Sequence, residues 1–540
     1  MFKKIVNKGA LALIGLTTLT VTASAQSFRV QCPTTTITHP VALNNNSEPA
    51  YTAPSYTGTS GYPTNPTPSV VNGAIKCQQI SGGDGYATMA DGTQIYMFSF
   101  GPLSGLANIA AGKPGTEFPA QFNTLYSGSS PLTPGDPATT DGTTADLSKF
   151  TFNGAVGLTP DTDAMGDGSC GVTGKPSCVN GHVDVRPIMD IGVMNGNIPA
   201  PLMALDEDDE YFLTLSNVGM IMRPDLFEQH TVHFHGYPNA SAFYDGVPDA
   251  SVAINIGGSF TYYYLAPDAG SYFYHCHISP PEHLQMGMVG QIYVRPRQNR
   301  VPSSTRLYAA LQAQQGDLRT ACNPAADILC TNPLPIGGDN GSTGGYSGGV
   351  QTKMYAYNDG DGSTQYDVEY PLQIHGFDPN FHFVGMTFNP EGFADMKDKY
   401  FMLNGRSYPD TVTAGPMQTQ TADGASHFSQ PLPSIITLTA GQKALLRISD
   451  LDVTEYQTLA SLGIPMKVVG YNAKLLRDQQ GNNLYYNTNS ITLAGGESLD
   501  VILDSTGVPP GTYYLYTPNL DHLSNDAENF GGLMTEVKVN

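Results

Sequence analysis

Short apolar runs, broken every few residues by Gly, Pro or polar positions, follow one another along almost the whole chain. Such punctuation leaves few stretches long enough for helices and excludes a sustained heptad, so strands are the expected elements. GTQIYMFSF, around residues 92–100, predicts a first strand. Because a strand turns alternate side chains to opposite faces, HTVHFHG would set His230, Val232 and Phe234 on one face and His233 and His235 on the other. YFYHCHI repeats the arrangement, with Tyr272, Tyr274, Cys276 and Ile278 opposite His275 and His277. Each motif thus addresses two sites at once, provided that no bulge breaks the parity.

Composition sharpens the class. Charged residues are 13% of 540, against about 25% in an average soluble domain, while Gly (59) and Pro (40) are abundant, which points to an all-β chain of two to four domains. A net charge of −22 repels phosphate backbones and anionic bilayers, so nucleic acid is not an expected partner. The first 25 residues have the basic start, apolar middle and Ala23-Ser24-Ala25 end of an export leader. No apolar run of about 18 residues follows that could span a bilayer, and the protein is expected to be secreted or periplasmic.

Seven cysteines in an exported chain invite disulfides: Cys170 with Cys178, Cys322 with Cys330, and Cys32 with Cys77 around a Thr/Pro/Asn-rich segment too poor in apolar residues to fold alone. Cys276 is left over. Six of the twelve histidines lie between positions 230 and 283, around it. On the inward faces, His230 and Cys276 can be joined by His283 and by Met288 or Met286 from the following loop. Two imidazoles, a thiolate and a thioether are the ligand set of a blue (type 1) copper site, although a Cys/His set also binds zinc. On the outward faces, His233, His235, His275 and His277 make two His-x-His pairs, enough for one or two further coppers. The chain passes directly from Cys276 to its outward neighbours, so an electron at the inward site has a short covalent route outward.

The stretch from MNGNIPAPLMALDEDDEYFLTLSN through HTVHFHGYPNASAFYDGVPDAS to GSYFYHCHISPPEHLQMGMVGQIYV, about residues 183–296, resembles a cupredoxin domain of the multicopper oxidases. YFMLNGRSYPDT, IPMKVVGYNAKLL, ITLAGGESLDVILD and the C-terminal GTYYLYTPNLDHLSNDAENFGGLMTEVKV resemble a second, copper-free cupredoxin domain of that family. The resemblance implies two Greek-key β-sandwich or barrel domains. It favours Met288 as the axial ligand, matches His233, His235, His275 and His277 to first-domain ligands of the oxygen-reducing cluster, and likens Asp245 to the carboxylate that serves cluster-bound water. It also implies a small reducing substrate or a metal ion as electron donor, with oxygen as acceptor. Two departures stand out: the Cys276-to-His283 interval is two residues longer than usual, placing Pro280 and Pro281 in the loop, and only two of the four His-x-His pairs of a full cluster are present. Beyond residue 300 only His375, His382, His427 and His522 remain, and a homotrimer in which His522 reaches a neighbour's site would follow two-domain relatives. Copper-nitrite-reductase-like chemistry or electron transfer is the first alternative, and a copper-binding surface-assembly protein the second.

The expected organisation is a leader (1–25), a flexible extension (26–76), the copper domain (77–296, with an insertion over about 103–182), a linker (297–365) and the second cupredoxin-like domain (366–540). GGDNGSTGGYSGG reads as flexible linker, and PDTDAMGDGS as solvated acidic turns rather than a calcium loop. His39 and His182 fall in loops without chemistry.

Overall fold

The computed structural model describes residues 30–53, 72–123, 196–220, 222–223, 228–236, 241–266, 268–315, 332–386, 392–420 and 426–540. The Cys170–Cys178 and Cys322–Cys330 pairings, His182, the acidic PDTDAMGDGS turn, the leader and the side chain of His427 lie outside the described residues.

Two β-sandwiches follow one another. In the first, β1 (Ile75–Thr88) pairs antiparallel with β2 (Gln94–Pro102) and parallel with β4 (Glu210–Gly219), which carries β6 (Ser259–Leu265) on its other edge. The facing sheet runs β3 (Ala200–Asp206), β8 (Val289–Arg295), β7 (Gly270–His275), β5 (His233–His235), with β3 parallel to β8 and the other pairs antiparallel. GTQIYMFSF is therefore the second strand, not the first. The one before it, IKCQQISGGDGYAT, shows no alternation because it is buried along almost its whole length, and its glycines disguise it as a loop. Inward aromatics fill the sandwich: the Phe234 ring lies 4.0 Å from that of Tyr264 and 6.2 Å from that of Tyr211, both nearly parallel to it. Burying each such ring is worth roughly 1.5–3 kcal/mol.

The second sandwich repeats the plan. Val368–Phe377 pairs antiparallel with Tyr400–Leu403 and parallel with Lys443–Asp450, followed by Glu497–Asp504 and Met466–Tyr471. The facing sheet sets Ile436–Leu438 parallel to Met534–Val539, then Gly511–Tyr516, Gln457–Leu462 and Ser490–Leu493. Where β7 is followed by Cys276, the matching strand Gly511–Tyr516 is followed by Thr517, so no thiolate is presented. Leu446, Ile448, Val501 and Leu515 are fully buried at the centre.

The sandwiches meet through buried polar contacts. Ser271 donates to Asp500 (2.6 Å), Gln291 donates to the Arg447 carbonyl (2.8 Å), and the buried Arg447 guanidinium stacks on Tyr293 while pairing with Glu369 (3.0 Å).

The segment expected to be a flexible extension is, over residues 30–53, bound to the first sandwich. A Cys32–Cys77 disulfide closes it, His39 pairs with Glu210 (2.6 Å), and the Lys76 ammonium sits among Glu48 (2.5 Å), Asp206 (3.0 Å) and Asp209 (3.0 Å). His39 is thus a buried anchor. The glycine-rich stretch read as a linker is ordered as well: its Tyr346 hydroxyl donates to the Glu48 carbonyl (2.6 Å), and Tyr346–Ser347 pairs with Val350–Gln351. Specific hydrogen bonds fix these backbones where composition alone argues for freedom.

Candidate metal centre

β5 and β7 lie side by side in register, with His233 opposite His275 and His235 opposite Phe273. That register gathers the two motifs at one end of the first sandwich and separates their side chains by strand parity.

On the inner side, His230, Cys276 and His283 are fully buried, and their ligand atoms lie within 4.8 Å of one another. His283 Nδ1 is 3.2 Å and His230 Nδ1 3.9 Å from Cys276 Sγ, and the Thr231 amide donates to the same sulfur at 3.5 Å. His283 comes from a short helix, Pro280–Gln285, that the extra Pro280 and Pro281 initiate, proline being tolerated in a first helical turn. Met288 and Met286 are both buried, but Met288 Cε and the His230 ring converge on the same point of β1, Gly82, which sets Met288 beside the trio.

Electrostatics there call for a cation. Burial alone would raise the Cys276 thiol, but the charge of His283 and hydrogen bonds with His230 and His283 hold it well below its ordinary value. Burial likewise disfavours a charged His283, yet the thiolate on one side and Glu228 on the other push it up to about 10. The imidazole therefore lies between two anions, with Nδ1 toward the sulfur and Nε2 toward Glu228. The buried His230 Nε2 has no hydrogen-bond partner. Two imidazoles, a soft thiolate and an adjacent thioether in an apolar shell fit copper; zinc would prefer a fourth, harder donor to the thioether.

On the outer side, His233, His275 and His277 bring one nitrogen each within 4.8 Å of the others. His233 Nδ1 donates to the Asp245 carbonyl (2.6 Å) and His275 Nδ1 to the Cys276 carbonyl (2.8 Å), which leaves both Nε2 lone pairs free. This is the outer-shell arrangement that orients metal-binding imidazoles. Burial, then the neighbouring histidines, lowers His235 to about 4, while His275, buried most deeply of the four, is held at about 3 despite its hydrogen bond to Cys276. Both rings are neutral near pH 7. His235 stands apart from the trio, stacked on Phe273 at 4.5 Å. Asp245 approaches His233 from behind: its carboxylate is 3.7 Å from Nδ1, and its backbone sets the ring. Gly246, at φ +81°, leaves space that a Cβ would close to 2.0 Å from the Val232 carbonyl.

His235 and His275 face a cleft of about 470 Å³ whose far wall is Leu451–Tyr456 and Ala494–Gly496 of the second sandwich. No described histidine of that sandwich reaches it. His522 is buried, hydrogen-bonded through its two ring nitrogens to Gln457 (3.0 Å) and Glu455 (3.0 Å), and stacked on Phe401 at 3.8 Å. Where a homotrimer was expected to draw on His522, both of its ring nitrogens are hydrogen-bonded within this chain. His382 lies between the carbonyls of Tyr96 and Gln285, and His375 is buried.

Two features escaped the sequence reading. Glu228, two residues before His230, was present as a signal in FEQH, an acid inside a ligand motif. The cleft wall had none, because Asp452 and Glu455 are separated from the histidine motifs by some two hundred residues.

The first β-sandwich thus carries a buried Cys/His/His trio and, beside it, a histidine cluster, two groups of side chains that could each hold a metal ion. Residues 180–299, about a fifth of the chain, match the family model of the multicopper oxidases. Similar curated proteins include a laccase of Aspergillus fumigatus (34% identical over 109 residues, 20% of this chain and 17% of the relative) and a multicopper oxidase of Talaromyces pinophilus (33% over 142 residues, 26% and 22%). A copper-containing nitrite reductase of Rhizobium meliloti is 36% identical over 109 residues, 19% of this chain and 26% of the relative. The chain spans only about a fifth of the length of the first two. Among solved structures, the blue copper oxidase of Nitrosomonas europaea aligns over 64% of this chain and 78% of its own, at 22% identity and a TM-score of 0.41. No described helix is long and apolar enough to cross a membrane.

Proposed function

We propose that the protein is an exported copper-dependent oxidoreductase that takes electrons from a small reducing substrate or a metal ion at the inner site and passes them to oxygen at the outer one. The observation that carries this reading is the double engagement of Cys276: its sulfur faces His283 and His230, while its carbonyl accepts the Nδ1 proton of His275 and its peptide bonds lead straight to His275 and His277. His230, Cys276, His283 and Met288 would hold a type 1 copper, and His233, His275 and His277, with His235 beside them, a second. Copper supplies one-electron redox chemistry to both donor sets. The chain's own part is to keep the inner set dry and fixed, to bring the outer imidazole nitrogens together, with burial keeping His275 neutral, and to join the sets through one residue.

At the donor end, Glu228 and Glu282 stand beside His283, and these three also bring ligand atoms within 4.8 Å. Two carboxylates against the imidazole favour cationic donors, metal ions included. Asp245 orients His233 through its carbonyl and is a candidate proton carrier. The leader-like first 25 residues and the Cys32–Cys77 disulfide support export.

A second reading, reduction of nitrite at a single outer copper, is favoured by one fact: the outer cluster is a three-imidazole group with no described second-sandwich histidine to extend it. Copper content per chain, measured with oxygen and nitrite turnover, tests both. Two coppers, oxygen uptake with a reductant, and loss of uptake in His275→Ala/His277→Ala with the blue band retained is the expected result. Nitrite turnover without oxygen uptake selects the second reading, and one copper per chain with neither activity overturns both.

A further inference from the structure

The helix that carries His283 is hydrogen-bonded to the second sandwich through Gln285. Gln285 is fully buried, two residues after His283 and three before Met288. Its amide Nε2 donates to Asp398 Oδ1 (3.0 Å), its Oε1 accepts the Asp378 amide (2.9 Å), and its carbonyl meets His382 Nε2 (2.9 Å). All three partners belong to segments that the fold assigns to the second sandwich. Asp398 is fixed in turn: Thr454 donates to its other oxygen and to Asp452 (2.9 Å), and Gln457 donates to Asp452 (2.6 Å). There is no slack around this pair, since a Cβ on Gly376 would stand 2.2 Å from Asp398 Oδ2 and 2.8 Å from Asp452 Oδ2. Asp452 and Thr454 also form the cleft wall that faces His235 and His275. A continuous hydrogen-bonded path therefore runs from the cleft wall to the loop between His283 and Met288.

We propose that Gln285 is the positioning residue of the His283–Met288 loop, and that Asp398, through it, makes the second sandwich a determinant of the inner metal site. This rests on the copper reading only in part, because loop positioning can be measured without metal. The chemistry is that of a clamp. A six-residue helix has too few internal hydrogen bonds to fix its own orientation, so the angle at which His283 meets Cys276 depends on what holds its far end. A buried glutamine with both amide atoms bonded sets that angle, and a residue that loses such a partner leaves an unsatisfied polar group to drive rearrangement. Burial and the neighbouring Asp452 raise the Asp398 carboxyl well above its ordinary range, and Asn, of the same shape and able to accept the Gln285 hydrogen bond, is its closest mimic.

The test compares Asp398→Ala, Asp398→Asn and Gln285→Ala with wild type in two measurements. In metal-free protein, amide exchange over residues 282–288 should quicken about tenfold or more in Asp398→Ala and Gln285→Ala, the loss of a hydrogen bond or two, while Met534–Val539 keeps its protection. Asp398→Asn should restore wild-type exchange. In copper-loaded protein, the same two Ala variants should retain copper yet shift the type 1 optical and electron-paramagnetic signature and the reduction potential, again with rescue by Asn. Unchanged exchange and unchanged spectra in Asp398→Ala would overturn the proposal, as would Asp398→Asn behaving like Asp398→Ala. Should Asp398→Ala fail to fold, Thr454→Val removes one contact to Asp398 and spares the carboxyl; it must show a smaller change of the same kind, and wild-type behaviour there overturns the proposal. If wild type takes up copper without a type 1 signature while the exchange result holds, the clamp stands and the copper reading falls.

Discussion

A Cβ on Gly82 would stand 2.7 Å from Cδ2 of His230 and 3.4 Å from Cε of Met288. The glycine is thus the wall against which a ligand imidazole and the thioether are pressed. Gly82→Ala should displace the ring, cost about 1–3 kcal/mol as an overpacked core does, and weaken or shift the blue band at full copper loading. Gly511→Ala, where the nearest atom lies 3.9 Å away, is the control and should change stability by no more than about 0.5 kcal/mol. Copper titration followed by absorbance, with thermal unfolding of both variants, checks the pair.

How far the sequence discloses this site follows from the range of the contacts involved. The inner and outer sorting of His230, Cys276, His233, His235, His275 and His277 could be read because strand parity is a local property, and β5 and β7 carry no bulge between the motifs. Gly82 could not be read as part of the site. It lies some 150 residues before His230, in a strand whose glycines suggest a loop, and only the pairing of β1 with β4 and β2 brings it under the ring. Asp398 and Gln285 are in the same position, a contact across 113 residues between two sandwiches. The ordering of residues 30–53 was hidden for a different reason: composition measures apolar content, and what holds this segment is a disulfide and ion pairs to Lys76 and Glu210.

Those attachments carry their own prediction. The Cys32–Cys77 bridge closes a 45-residue separation, and the loop-entropy model gives it about 4 kcal/mol. Cys32→Ser should lower the unfolding free energy by up to that amount while leaving the type 1 band unchanged, because the bridge lies outside the metal sites. Mass mapping of unreduced protein should also link Cys170 to Cys178 and Cys322 to Cys330 and leave Cys276 free. A disulfide at Cys276 would remove it as a ligand.

The interface between the sandwiches should be acid-sensitive in a defined window. Burial would raise the Glu369 carboxyl, but Arg295 and Arg447 outweigh it and hold it at about 2. A carboxyl depressed in the folded state stabilises fully above its unfolded value of about 4.5, and that stabilisation is lost as pH falls toward 2. Wild-type stability should therefore decline between about pH 4.5 and 2. Glu369→Gln removes the carboxylate from the partly buried Arg295 and leaves the buried Arg447 with Asp500 (3.5 Å) as its remaining carboxylate; it should cost about 3 kcal/mol at neutral pH, with a flatter dependence below pH 4.5. Denaturant unfolding at a series of pH values reads both. Equal slopes in the two proteins would mean that other carboxyls carry the acid response.

Two roles are open to Glu228. Its carboxylate touches His283 Nε2, and Glu282 stands within reach of the same point. If these acids receive a cationic donor, Glu228→Gln should lower kcat/KM for Fe(II) by about tenfold, the equivalent of roughly 1.4 kcal/mol, and change it about twofold or less for a neutral phenol. The loss should shrink as salt is added, since the attraction is electrostatic and partly exposed. Glu282→Gln, one step further from the imidazole, should act in the same direction and more weakly. If Glu228 serves only to orient His283, both donors should slow by the same factor, the effect should ignore salt, and the type 1 potential should move with it. Measuring both donors at two ionic strengths, together with the potential of each variant, distinguishes a docking carboxylate from an orienting one.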